Sequence, residues 1–182
     1  MRTLSLLTAA LFLALSVQTS SAQPANSGHL EVEIEPIAYA LGGAGGHVGY
    51  QGSRWSYTLE VFGLTIPESL HGNEEFEATP LGAEFHLERS FGEGRGGWYA
   101  GPEIGVNRLE VTHATGAHRT RVRYGVGVRG GYQWFPGWGD LYLSPVAGLV
   151  YTLNSEPIRI QNETFETGPL TPYATVGLGW SF

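Results

Sequence analysis

The chain closes on TPYATVGLGWSF, residues 171–182. Leu170, Pro172, Ala174, Val176, Leu178, Trp180 and Phe182 share one parity, and Thr171, Tyr173, Thr175, Gly177, Gly179 and Ser181 share the other. A period of two sends successive side chains to opposite faces of a strand. Chain ends are ordinarily polar and frayed. This one is a strand with an apolar face that finishes on an aromatic ring. It needs a partner strand along its length and an apolar medium on one side.

The same period recurs through the chain. In SRWSYTLEVFG, Trp55, Tyr57, Leu59 and Val61 oppose Arg54, Ser56, Thr58 and Glu60. In TPLGAEFHLER, Leu81, Ala83, Phe85 and Leu87 oppose Gly82, Glu84, His86 and Glu88. GWYAGPEIGVN sets Trp98, Ala100, Pro102, Ile104 and Val106 against Tyr99, Gly101, Glu103, Gly105 and Asn107. RTRVRYGVGVRGGYQW sets Val122, Tyr124, Val126, Val128, Tyr132 and Trp134 against Arg121, Arg123, Gly125, Gly127, Arg129 and Gln133. LYLSPVAGLVY follows with Leu141, Leu143, Pro145, Ala147, Leu149 and Tyr151 on one parity. Such strands exceed the usual five or six residues and match the roughly 9–11 that a tilted strand needs to cross a bilayer.

The N-terminus, MRTLSLLTAALFLALSVQTSSAQ, has the three parts of a secretory signal peptide: a basic start at Arg2, an apolar run from Leu4 to Val17, and small residues before a cut after Ala22. Residues 1–22 are therefore read as a cleaved leader and 23–182 as one domain, a size that one domain commonly has. Without Arg2, 9 basic residues stand against 17 acidic ones, a net charge of −8. That balance argues against nucleic acid as a partner, since nucleic-acid binding needs a basic face. There is no Cys and every basic residue is Arg. With 27 Gly and 22 aromatics (5 Trp, 9 Tyr, 8 Phe), the composition is that of an all-β chain with many turns.

Two kinds of connection alternate. QGSRW, SFGEGRGGWY and YQWFPGWGDLY are short, glycine-rich and aromatic, whereas residues 65–78, 113–118 and 154–167 are longer and more polar. Short turns at one end and long loops at the other are the outer-membrane barrel arrangement, with short turns in the periplasm. The strands fall near 53–64, 77–90, 97–112, 119–134, 140–152 and 169–182. Two more come from HLEVEIEPIAYALGGAGGHVGYQ: one near 29–41, a tight turn at GGAGG, and one near 44–51. The fold expected is all-β: an eight-stranded antiparallel up-and-down transmembrane barrel with short periplasmic turns and longer extracellular loops. A soluble barrel would reverse the facing. Its surface would be dense in charge, but only 15% of the chain is charged and the polar faces are rich in glycine. Small residues suit a narrow interior, and aromatics at strand ends suit a lipid boundary.

The leader, the strand spacing and the VGLGWSF end together resemble the small outer-membrane barrels of the OmpA-transmembrane and OmpX-like superfamily. EPIAYALGGAGGHVGYQGSRWSYTLE also looks like the opening of uncharacterised barrels of this group, with Glu35 where Asn is usual. The resemblance implies a monomer in the outer membrane, surrounded by its lipid and lipopolysaccharide. It also implies that Trp180 and Phe182 form the signal read by the barrel-assembly machinery.

Hairpin arithmetic then gives neighbours. Pairing across residues 65–77 brings Arg54 to Glu88 and Thr58 to Glu84; pairing across 114–117 brings Glu103 to Arg129. The lumen is expected to hold Glu60, Glu84, His86, Glu88 and Glu103 with Arg54, Arg121, Arg123 and Arg129 as an ion-paired plug, because buried charges must be paired and eight strands leave room only for side chains. Glu84, His86 and Glu88 share a face and are metal-ligating types, but one strand's spacing does not make a site. No metal, cofactor or catalytic residue is assigned. The expected role is non-enzymatic, structural or at the surface. Two alternatives remain: a narrow pore, and a lipid A-modifying hydrolase, the deacylases of that kind using a Ser–His–Glu set with His and Ser two apart. Here His113-Ala-Thr115 and His118-Arg-Thr120 carry Thr in that place, and no acid is placed to orient the base.

Overall fold

The computed structural model describes residues 28–91 and 95–182; the leader read at 1–22 lies outside the described residues. The elements are β1 His29–Ile34, α1 Pro36–Ala40, β2 Ala44–Gln51, β3 Trp55–Gly63, α2 Glu68–His71, β4 Phe76–Ser90, β5 Gly97–His113, β6 His118–Gln133, β7 Leu141–Thr152, β8 Ile158–Ile160, β9 Glu163–Phe165 and β10 Leu170–Ser181. β1 to β7 and β10 form a closed antiparallel barrel of eight strands, in which β10 pairs with β7 on one side and β1 on the other. β8 and β9 make a separate hairpin. Seven strand assignments agree with the expected bounds to within two residues, because the alternation is the barrel's own inside–outside rule.

The facing is inverted relative to a soluble protein. In β3, Ser56, Thr58 and Glu60 are buried, while Tyr57, Leu59 and Val61 are half or more exposed. Leu81, Ile104, Val126, Val128 and Val176 likewise point outward from the other strands. A continuous apolar belt of this extent marks a surface that water does not cover. Tyr50, Trp55, Trp98, Tyr132, Trp134 and Trp180 stand exposed beside the short turns and the termini. Trp98 and Tyr132, cross-strand partners, pack edge to face at 5.1 Å. Tyr124 and Tyr151 mark the belt toward the long loops. No described helix is long and apolar enough to cross a membrane.

The first hairpin differs from expectation. The strand expected near 29–41 stops at Ile34, and α1 begins at Pro36. Proline lacks the N–H a ladder needs and its fixed φ suits the first helical position. Glu35 before it takes the extended conformation that proline imposes (φ −107°, ψ 96°). The second strand, β2, lies at Ala44–Gln51, where it was expected. β1 therefore pairs with β10 over Glu31–Ile34 only, and α1 packs against β2 and the outer half of β10.

The strand prolines obey the same donor rule. Pro102 falls where the β4–β5 ladder skips two pairs, and Pro145 falls just beyond the last continuous pair of β6 and β7. Pro172 lies on β10 where β1 has already ended. Each lies where one of its two neighbouring ladders is interrupted or has ended, while the other continues.

The hairpin registers also correct the neighbours. β3 pairs Ser56 with Glu88, Thr58 with His86 and Glu60 with Glu84, two residues from the register expected for Arg54 and Thr58. The cause is the lopsided 64–75 connection: the ladder's last pair is Gly63–Leu81, and from there to Phe76 β4 pairs with β5 but no longer with β3, apart from an Ile66–Ala78 bridge. In β5–β6, Arg129 opposes Gly101, and Glu103 opposes Gly127.

Facing can be tested by charge insertion. In phospholipid vesicles, Val126→Arg on the outer face should cost about 2–4 kcal/mol, and Gln133→Arg inside should cost less. Urea titration of the inserted protein measures both; equal losses would reverse the inside and outside assigned here.

Candidate functional site

Strand alternation places one guanidinium at the centre of the lumen. Arg129 reaches from β6 across the barrel, with Nε 2.9 Å from Glu88 Oε1 and Nη1 3.3 Å from Glu60 Oε2. Nη1 also lies 3.0 Å from His86 Nδ1. His86, fully buried, has Glu84 Oε2 at 3.5 Å and Glu103 Oε2 at 4.0 Å from its Nε2. Hydroxyls complete the shell: Ser56 donates to Glu88 (3.2 Å), Tyr173 donates to Glu103 (2.5 Å), and Tyr99 pairs with Ser144 (2.7 Å). Desolvated charges are tolerable only when paired in this way.

Glycines make the room. Tyr142, Tyr173, Glu103, Tyr99 and Glu84 stand directly cross-strand from Gly179, Gly148, Gly127, Gly131 and Gly105. A Cβ on any of these glycines would collide with the large side chain opposite. The lumen is thus packed by large–small pairs across single ladders, as a narrow barrel requires.

Glu60, Glu84, His86, Glu88, Glu103 and Arg129 converge here. The other three expected lumen arginines do not. Arg54 lies in the bend between β2 and β3 and faces the rim. Arg121 and Arg123 lie at the far end of β6, bonded to Glu156 and Thr167. Both extend beyond the level at which β7 stops pairing with β6, at Gly125–Thr152.

Four residues of the first hairpin belong to the lumen and were not picked out from the sequence. Glu31 and Glu33 are buried. His29 and Gln133 contact Glu31 at 3.1 and 2.9 Å, and His47 lies 3.6 Å from Glu33. The signal was present in HLEVEIE, where His29, Glu31 and Glu33 alternate with Leu30, Val32 and Ile34. These residues line a vestibule of about 980 Å³ that runs from the short-turn rim to Arg129 and Glu88.

The expected metal-type trio Glu84, His86 and Glu88 does not assemble as one. The ligand atoms of Glu60, Glu84 and His86 lie within 4.8 Å of one another, while Glu88 turns to Arg129. Arg129 Nη1, against both Glu60 and His86, already supplies the positive charge there.

The long-loop end is closed by a second, apolar layer. The β8–β9 hairpin folds onto the extended parts of β4 and β5, burying Ile158, Ile160 and Phe165 against Phe76, Ala78, Leu109 and Val111. Each large side chain so buried contributes about 1.5–3 kcal/mol. Phe165 meets Phe76 and His71 edge-on, at 5.8 and 5.2 Å. Burial holds His71 below the ordinary imidazole value. Asn73 and Glu166 tie the loops by two hydrogen bonds of 2.9 Å, the Asn73 amide donating to the Glu166 carbonyl and the Glu166 N–H to the Asn73 oxygen.

The hairpin also brings an acid to His113. Glu163 Oε2 lies 3.0 Å from Nε2, and Thr115 Oγ1 lies 2.9 Å from Nδ1. This corrects the expectation that no acid meets that base. The set still lacks what acyl transfer needs, a pair of free donors for an oxyanion. The Thr115 N–H donates to the same Nδ1, the Ala114 N–H to Glu75 and the Gly116 N–H to His113. His113 closes its turn and pins the hairpin.

No protein-family model matches the chain, and no curated protein matches it. Among solved structures, the chain is similar to the crystal structure of Neisserial surface protein A (NspA). The similarity covers 88% of this chain and 100% of that one, with a TM-score of 0.52 and 14% sequence identity. The fold is therefore that of an eight-stranded outer-membrane barrel.

Removing the central cation tests the network. Arg129→Met should destabilise the detergent-folded barrel by about 3–5 kcal/mol, because it strands buried carboxylates. Adding Glu88→Gln should restore part of that loss. The unfolding midpoint of the heat-dependent gel shift reports both; an unchanged midpoint in Arg129→Met would remove Arg129 from this role.

Proposed function

We propose that the protein is an integral outer-membrane barrel of the small OmpA-transmembrane and OmpX-like kind, non-enzymatic, with a structural or surface-interaction role. The observation that carries this reading is the double obstruction of the lumen, by the Arg129 network at mid-height and by the apolar cap at the long-loop end. A barrel blocked in this way presents a rigid outer surface rather than a path. The outer-membrane location rests on the apolar belt, the aromatic boundary and the fold shared with NspA.

In this reading the chain is exported by a leader cleaved after Ala22 and works as a monomer among outer-membrane lipid and lipopolysaccharide. Trp180 and Phe182 serve as the signal for the barrel-assembly machinery. Both are exposed at the end of β10, where the Phe182 N–H donates to the Leu30 carbonyl at 2.8 Å.

Planar-bilayer recording tests the obstruction. The refolded mature chain should give no conductance steps, and deletion of residues 155–167 should give none either, because the Arg129 layer remains. Steady unitary steps from the intact chain would replace this reading with the narrow pore.

A further inference from the structure

We propose that the long-loop end of the barrel carries a phosphate-binding site formed by Arg119, Arg121 and Arg159 above the buried Arg123. The occupant is a phosphate monoester, carried by a lipid headgroup or free in solution.

The arginines are brought together by two alternations. Arg119, Arg121 and Arg123 share one parity of β6, on the stretch that continues past the end of its pairing with β7. Arg159 is the middle residue of β8, between Ile158 and Ile160. Both isoleucines are buried in the cap, so Arg159 must point the other way. The result is a groove of about 420 Å³ lined by Arg119, Arg121, Pro157, Ile158 and Arg159.

Arg123 makes the cluster more than a set of surface charges. It is 8% exposed, and its single hydrogen bond runs from Nη1 to the Thr167 hydroxyl at 3.0 Å. Nε and Nη2 have no partner. No carboxylate pairs with it among the described residues. Glu156, the acid at this end of β6, is 71% exposed and bonded to Arg121. Arg123 therefore shares the field of that one exposed acid with Arg121, and a buried cation so weakly compensated is costly. Arg119 and Arg159 form no ion pair among the described residues either. A phosphate in the groove would meet the three guanidiniums that line it, whose planar forks suit its oxygens, and would bring negative charge to the end of β6 that carries Arg123. In a mature chain of net charge −8 this concentration of basic groups at one end is an asymmetry with a use.

The lipid source rests on the proposed orientation, long loops outward. There Arg119 and Arg121 follow the exposed Val122 toward the loop end of β6, the side of the belt on which headgroups lie.

The test uses the full mature chain refolded in phosphate-free neutral detergent. Two probes are titrated by calorimetry: inorganic phosphate, and micelles of diphosphorylated lipid A, with dephosphorylated lipid A as the comparison. Wild type should bind a phosphorylated probe at least tenfold more tightly than Arg119→Gln/Arg121→Gln/Arg159→Gln, while Arg89→Gln at the opposite rim should match wild type. The heat-dependent gel shift shows that each variant is folded. Preference for phosphorylated over dephosphorylated lipid A assigns the site to a headgroup; binding of inorganic phosphate without that preference assigns it to free phosphate. Equal affinity of wild type and triple variant for both probes overturns the site. Orientation is read separately. The chain has no cysteine, so Glu74→Cys on intact cells should label with an impermeant maleimide. Failure to label would reverse the orientation and leave the detergent result standing.

Discussion

Everything in this barrel depends on the backbone hydrogen bonds that close it. A strand in hydrocarbon has no water to satisfy its N–H and C=O groups, so an open edge is excluded and the last strand must find the first. Here that seam is short. β1 gives β10 four paired residues, Glu31 to Ile34, and the Leu30–Phe182 bond extends it to the chain end. Pro36 ends the strand, and the α1 turn takes over the wall. The terminal aromatic is therefore part of the closure itself, which is why this end does not fray.

Closure at eight strands fixes the lumen's width and hence its contents. Around Arg129 side chains take up the space, and the open vestibule lies on the short-turn side of it. Large polar groups can enter only opposite glycine, and the ladders pair them so: Tyr142 with Gly179, Tyr173 with Gly148, Glu103 with Gly127. Carboxylates and imidazoles held in that confined space need a cation. Arg129 supplies it, reaching across the lumen from β6 to Glu88 and Glu60. The many glycines, the low charge content and the single central arginine are three consequences of one geometric restriction.

How far the site was legible depends on how local its determinants are. Glu60, Glu84, His86, Glu88 and Glu103 follow from parity, and parity is set within each strand. The pairs among them were displaced by two residues, because register depends on how a loop spends its length. The 64–75 connection spends it on α2, and β4 then runs from Phe76 to Pro80 paired with β5 before its ladder with β3 begins at Leu81. Glu31 and Glu33 were readable by the same parity on the strand read near 29–41, whose end Pro36 moved back to Ile34. The β8–β9 hairpin was not readable, since three-residue strands carry no period. With it went Glu163, whose contact with His113 spans 50 positions of sequence.

The sequence by itself determined the class of fold, the faces and the extents of the long strands, because alternation against two different media is written residue by residue. It also determined that the chain end is a structural strand. Tertiary structure alone decided which arginine serves as the lumen's counter-charge and which three leave it for the rim and the outer mouth. A side chain's partner in a closed barrel is chosen by register, stagger and reach across the lumen. These are properties of the whole ring of strands and of no single one.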